Sequence, residues 1–93
     1  MPQTIIAKRQ NYIVLNDLDL VTVEITGSVA NLAIKNVGPA NVWFSMDPER
    51  PVVPGGPYST LLTAGEAYHE SQFKIGNLTM TAQGGRASVC LNL

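Results

Sequence analysis

The chain has 93 residues, a length that fits one domain, and only 14% of them are charged while 45% are hydrophobic. Typical soluble domains carry about 25% charged residues. The low charge of this chain therefore predicts that another chain covers part of its surface. The alternative is an uncovered surface that is rich in uncharged polar residues. Six basic against seven acidic residues give a net charge of −1, which argues against nucleic acid as a partner. Cys90 is the only cysteine, which excludes an internal disulfide bond and a thiolate metal cluster.

The sequence predicts neither a membrane segment nor a secretion signal. The N-terminal residues lack the basic region and the apolar run of a signal peptide. No run approaches the roughly 20 apolar residues that a membrane helix needs. We therefore expect a protein that is made and kept in a cytoplasm.

The N-terminal segment has two interpretations. Ile5-Ile6 and Ile13-Val14-Leu15, within residues 4–7 and 12–15, are apolar at consecutive positions, which suits a segment that is covered on both faces. They are predicted to form either an outer hairpin around Lys8 and Arg9 or an arm that pairs with a neighbouring subunit. The predicted organisation is accordingly an N-terminal strand or arm over residues 1–16 and one β-sandwich domain over residues 17–93.

Apolar and polar residues alternate with a period of two through most of the remaining chain, which indicates strands with one face on a core. No segment shows a sustained apolar stripe with the helical period of 3.6 residues, so helix is expected to be minimal. The predicted core residues are Val21, Val23, Ile25, Leu32, Ile34, Val42, Phe44, Leu61, Phe73, Leu78, Met80, Val89 and Leu91.

Glycine-containing turn signals separate the alternating runs at spacings near ten residues, a pattern typical of sandwiches and barrels. Gly38-Pro39 and Gly65-Glu66 are two of them, and Gly84-Gly85 is interpreted as a tight hairpin because both residues tolerate positive φ. The predicted fold class is all-β, a small antiparallel β-sandwich or jelly-roll-like barrel of about seven or eight strands.

Residues 48–57 interrupt this pattern with a proline at every third position, Pro48, Pro51, Pro54 and Pro57. Proline fixes φ and donates no backbone hydrogen bond, so this window is neither a central strand nor a helix interior. A repeat of three matches the period of polyproline II. The sequence therefore predicts a stiff, displayed, polyproline-like loop.

No group of residues predicts catalysis, a metal site or a cofactor site. His69 and Ser71 would share one face of a strand, but alternating polar side chains on a strand explain them equally well. Cys90 has no cationic neighbour in sequence and is interpreted as an inert filler. The close acidic pairs, Asp17 with Asp19 and Asp47 with Glu49, are sparser than the loops that bind calcium. We expect a protein that is not an enzyme.

Trp43 is the residue that most favours an interaction surface. It lies on the opposite face from Val42 and Phe44, and tryptophan is enriched at the centres of interfaces. The alternative is that the proline-rich loop of the same chain covers the Trp43 ring. A third interpretation is a sugar-binding surface, because such surfaces also use exposed aromatic residues. The candidate interface residues are Ile5, Ile6, Lys8, Arg9, Trp43, Pro51, Pro54 and Tyr58.

A series of strand and turn sequences runs through residues 29–91. These are residues 32–41 (LAIKNVGPAN), 42–47 (VWFSMD), the Pro/Gly loop, 61–66 (LLTAGE), Gly84-Gly85 and 87–91 (ASVCL). In this series, which contains no functional motif, the chain resembles small β-sandwich structural proteins of tailed bacteriophage particles, especially head-decoration or cement proteins.

The resemblance implies a non-enzymatic virion protein that is made in the host cytoplasm and binds an assembled head. Its partner would be the major capsid protein or another virion protein, without nucleic acid, membrane or cofactor. A homo-oligomer is expected, with a trimer favoured by the resemblance and a dimer next. A phage tail, fibre or connector component and a carbohydrate-binding β-sandwich module are the alternatives.

Overall fold

Seven β-strands and no helix are found in the computed structural model, which describes residues 3–25, 29–47, 49–73 and 76–93. The all-β prediction is therefore confirmed. No helix in these ranges is long and apolar enough to cross a membrane. The strands are β1 (Gln3–Ile6), β2 (Gln10–Leu15), β3 (Val21–Glu24), β4 (Val29–Ser45), β5 (Thr60–Leu62), β6 (Ala67–Phe73) and β7 (Asn77–Asn92).

The two long strands β4 and β7 pair with each other antiparallel and organise all the others. The first half of β4 also pairs with β6, and its second half pairs with β5. On the other side, β7 pairs first with β3 and then with β2, and β1 joins β3 in the only parallel pair of these seven strands. The sheet thus consists of layer A (β2, β7 C-terminal half, β4 N-terminal half, β6) and layer B (β1, β3, β7 N-terminal half, β4 C-terminal half, β5).

Both long strands bend where layer A meets layer B. In β4 the register shifts on either side of Gly38-Pro39, and in β7 Gly84 and Gly85 lie in the same region with φ of 91° and 136°. The predicted hairpin at Gly84-Gly85 is wrong, because β7 continues through it and both halves remain paired with β4. Two glycines with positive φ in an unbroken ladder form an irregularity that redirects the strand without reversing it.

The core lies between the two layers, as in a sandwich. Phe44 in layer B and Tyr68 in layer A hold their rings 5.1 Å apart between centroids. Among the predicted core residues, the prediction for Leu61 is wrong, since 39% of its surface is exposed and Leu62 is buried instead. The side chain of Phe73 lies outside the described residues. The other predicted core residues are confirmed, and Ile13, Leu15, Val52, Leu62, Ala82 and Ala87 are buried as well.

Asn36 is a polar residue that is fully buried beside the bend of β4. Its amide Nδ2 donates to the carbonyl oxygens of Ala40 at 2.9 Å and Leu62 at 2.8 Å. Its Oδ1 accepts the backbone N–H of Gly38 at 2.8 Å. The side chain therefore ties both sides of the bend to each other and to β5.

The proline-rich window folds into turns instead of a polyproline II segment, so that prediction is wrong for its described part. Gly55 has a φ of 78°, and the N–H of Gly56 donates to the carbonyl of Val53, which closes a β-turn. Val52 is buried, and its N–H donates to Thr79 Oγ1 on the outer face of layer B. The loop therefore folds back onto the sheet. Pro48 lies outside the described residues.

Candidate functional site

The outer surface of layer A, called the layer A face below, is built by the residues that alternate with the buried ones. Ile13 and Leu15 point into the core, so their neighbours Tyr12 and Val14 point outward. The same alternation applies to the adjoining strands. The outward residues of this face are Gln10, Tyr12, Val14, Ala33, Lys35, Val37, Ala67, His69, Arg86, Ser88, Cys90 and Asn92.

Tyr12 is the most prominent side chain of the layer A face, with 65% of its surface exposed. It is paired with Cys90 across β2 and β7, and Cys90 is paired with Lys35 across β7 and β4. An open groove of about 280 Å³ runs beside Tyr12 and is lined by Gln10, Asn11, Tyr12, Cys90 and Asn92. Amide side chains and an aromatic ring thus form one uncharged concave surface.

Two other apolar side chains extend the layer A face towards the bend. Val14 is paired with Ser88, which is paired with Gly38. Val37 precedes Gly38 at a register shift and is about half exposed, as is Val14. Tyr12, Val14 and Val37 are therefore exposed apolar residues on a face whose central strands carry small residues, such as Ser88 and Cys90, together with Lys35 and Arg86.

The N-terminal candidates are divided between the two layers. Ile5 packs against the core, whereas Ile6 is exposed on the outer side of layer B. Lys8 and Arg9 are exposed in the turn between β1 and β2, at one end of the groove. This turn is held by Asn11, whose side chain exchanges two hydrogen bonds with the backbone of Lys8.

The remaining candidates lie around the loop over layer B. The indole Nε1 of Trp43 donates to Gln83 Oε1 at 2.9 Å, and the ring is only partly exposed. Tyr58 is 57% exposed, and the guanidinium of Arg50 stacks 3.8 Å from the centre of its ring. Pro51 is exposed and Pro54 is half-buried. These four candidates share one side of the molecule, across the sandwich from the layer A face.

The described residues contain no group of three or more metal-ligating side chains. His69 is exposed opposite Ala33, and the side chain of its sequence neighbour on that face, Ser71, lies outside the described residues.

Hydrogen bonds shift the pKa of two side chains, Glu66 and Tyr68, neither of which belongs to the layer A face. Hydrogen bonds from the Thr63 side chain and backbone lower the pKa of Glu66. The hydrogen bond to Glu70 raises the pKa of Tyr68, and burial adds to it.

Tyr12, Val14 and Val37 were missed as site residues in the sequence analysis. The alternation of Tyr12 and Val14 with Ile13 and Leu15 was the available signal, because it places an exposed tyrosine beside a buried pair. Val37 gave no such signal, since its exposure depends on the register shift in β4.

No protein-family model and no curated protein matches the chain. Two solved structures share its fold. A de novo designed double-stranded β-helix is 17% identical with a TM-score of 0.55, over 91% of this chain and 97% of that one. PliG from Aeromonas hydrophila, a periplasmic inhibitor of g-type lysozyme, is 13% identical with a TM-score of 0.60, over 98% and 96%. At these identities the likeness concerns the fold alone.

Proposed function

We propose that this chain is a non-enzymatic binding protein of a bacteriophage virion, a decoration protein that attaches to the assembled capsid through the layer A face. The observation that carries the proposal is the exposure of three apolar side chains on one face, Tyr12 beside the uncharged groove and Val14 and Val37 towards the bend. The resemblance of residues 29–91 to phage head-decoration proteins supports the choice of the capsid as the partner.

The chemistry of the layer A face suits a protein partner. Aromatic residues are enriched among the side chains that dominate binding energy, and the residues that line the groove carry no charge that binding would have to desolvate. Tyr12 combines a large apolar ring with a hydroxyl group, and amide groups of Gln10 and Asn92 lie beside it. The strands of the sheet hold the backbone of these residues in place, so binding costs the ordering of side chains but not of a loop.

Attachment to a capsid also fits a small protein with modest contacts. A shell repeats its binding sites, and a homo-oligomer that engages several of them makes each further contact intramolecular. We propose a homo-oligomer, a trimer first and a dimer next, with the major capsid protein as the partner and the virion as the location.

Replacing Tyr12 by serine is expected to weaken binding to undecorated heads by at least about tenfold, because an exposed aromatic ring at an interface centre is worth 2 kcal/mol or more. Co-sedimentation with heads of the source phage measures the affinity. Tyr58→Ser is the matched control, since Tyr58 is exposed to a similar degree on the other side of the molecule.

The two variants separate the two candidate surfaces. Loss of binding in Tyr58→Ser with retention in Tyr12→Ser would assign the contact to the loop around Trp43. If the wild-type protein sediments with isolated tails and not with heads, the tail alternative is correct. If it sediments with neither, the virion proposal is wrong.

Inhibition of a lysozyme is a second candidate function, favoured by the PliG-like fold over nearly the whole chain. Adding the protein in equimolar amount to a g-type lysozyme tests it directly. A fall in the lysis rate of bacterial cells would support inhibition, and an unchanged rate would remove this candidate.

A further inference from the structure

The charged residues of this chain are distributed unevenly between the two sides of the sandwich. Lys35 and Arg86 are exposed on the layer A face, Lys35 opposite Cys90 and Arg86 beside the bend of β7. Lys8 and Arg9 are exposed at the other end of the groove, where the carbonyl of Arg9 accepts the N–H of Leu93. Arg86 and Asn92 are six residues apart on the extended strand β7, and Asn92 pairs with Gln10, which follows Arg9. The cations from Arg86 to Arg9 therefore span about 20 Å.

No carboxylate is found among the outward side chains of the layer A face that the structure describes. Asp17, close to the bend, accepts the N–H groups of Gly84 and Gly85 with its Oδ1. Glu66, next to β6, accepts hydrogen bonds from the backbone and hydroxyl of Thr63. Glu70 lies on the inner side of β6 and accepts the hydroxyl of Tyr68.

Other carboxylates lie on the side of layer B. Glu24 alternates with the buried Val23 and so points outward from β3. Asp47 and Glu49 belong to the loop that crosses this side. The same loop holds one cation, Arg50, whose Nε lies 3.8 Å from Asp47 Oδ2. The layer A face therefore presents cations without an outward carboxylate among its described residues, whereas the described charges of the opposite side include both signs.

We propose that the layer A face docks onto an acidic protein surface, with Lys8, Arg9, Lys35 and Arg86 contacting carboxylates while Tyr12, on the edge strand β2, packs against the partner. This inference rests on the proposed function, in which the acidic surface belongs to the capsid shell. Complementary charge sets the orientation and raises the association rate, while the apolar contact supplies affinity.

A protein surface fits these cations better than nucleic acid does. Double-stranded DNA carries a negative charge every 1.7 Å of helix axis, whereas four cations are spread here over about 20 Å. Surface carboxylates of a protein are spaced more widely and match the spread of the four cations.

The test neutralises two central cations with Lys35→Gln and Arg86→Gln together. A variant with Thr4→Glu and Val53→Glu makes the same change of two units in net charge at exposed positions of layer B. Binding to undecorated heads is measured at about 0.05 M salt and at about 1 M salt, where the screening length falls to about 3 Å. Immobilised poly-L-glutamate and duplex DNA serve as probes independent of heads.

We expect Lys35→Gln/Arg86→Gln to bind heads at least about tenfold more weakly at low salt, with the difference lost at high salt. The layer B variant should bind within about twofold of the wild type. Wild-type protein should bind poly-L-glutamate at low salt, the double variant should not, and DNA should bind more weakly than poly-L-glutamate.

Equal losses in both double variants would show an effect of net charge alone and overturn the proposal. DNA binding as strong as poly-L-glutamate binding would make this face a general polyanion site and would also overturn it. If the wild type binds no heads but loses poly-L-glutamate binding in Lys35→Gln/Arg86→Gln, the capsid assignment is wrong and the acidic-partner inference holds.

Discussion

Replacing Asn36 by alanine is expected to destabilise the protein by about 2–4 kcal/mol. The side chain is fully buried and makes three hydrogen bonds, to Ala40, Leu62 and Gly38. Without the amide, the carbonyl of Leu62 and the N–H of Gly38 lose a buried hydrogen bond, and the carbonyl of Ala40 loses a part-buried one. A buried polar group that is left unsatisfied costs about 1–3 kcal/mol unless the structure relaxes or water enters. Urea denaturation followed by circular dichroism measures the loss as a lower midpoint.

Asn41→Ala provides the matched control, since Asn41 is exposed on the same strand. Exposed substitutions of this kind stay within about 0.5 kcal/mol. Asn36→Asp should be at least as damaging as Asn36→Ala, because a carboxylate lacks the donor that Ala40 and Leu62 require. A cost below about 1 kcal/mol for Asn36→Ala would contradict the role assigned to these hydrogen bonds.

The core could be predicted from sequence because alternation in a strand follows directly from backbone geometry. Val21 and Val23 on β3, and Leu78 and Met80 on β7, follow this rule without interruption and are buried as predicted. Leu61 shows where alternation does not decide which residue is buried. Leu61 and Leu62 are adjacent and both apolar, so either one could face the core. The pairing of Leu61 with Trp43 places Leu61 on the outer side.

Glycine signals predicted irregular backbone correctly but not its consequence. Gly65 lies in a turn between strands, whereas Gly84 and Gly85 lie inside β7, although all three have positive φ. A local sequence specifies the conformation that glycine permits. Whether the chain reverses there or only bends depends on partners far along the chain, here the continued pairing with β4.

The candidate site was only partly predictable for the same reason. Lys8 and Arg9 were named from their position next to apolar segments, and they lie at the end of the groove. Tyr12, Cys90 and Lys35 come from three strands far apart in sequence, and only the register of β2, β7 and β4 places them in one row. Alternation assigns each residue to a face, but it does not say which strands are neighbours.

Asn36 illustrates a different limit. The alternation of Leu32, Ile34 and Asn36 on β4 would place the asparagine on the core side. A polar residue at such a position is more often the end of a strand, and Gly38-Pro39, which follows it, is a turn signal. The reason for its burial is tertiary, because the carbonyl of Leu62 on β5 is one of its partners.

Truncating Phe44 to alanine is expected to cost about 3–5 kcal/mol, the range measured for buried phenylalanine. Its side chain is buried and is the largest of the fully buried side chains described, and its ring meets Tyr68 of layer A at 5.1 Å. Removing it leaves a cavity between the two layers that the strands of two hydrogen-bonded layers have little freedom to close. Because small domains have about 5–15 kcal/mol of stability in total, this is a large share.

Thermal denaturation and urea titration measure the change. Phe44→Leu, which keeps most of the volume, should cost about 1.5 kcal/mol or less, and Trp43→Ala on the outer side of the same strand should cost less than Phe44→Ala. If Trp43→Ala proved the more damaging substitution, the packing between the layers would not be the main source of stability and the loop side would be.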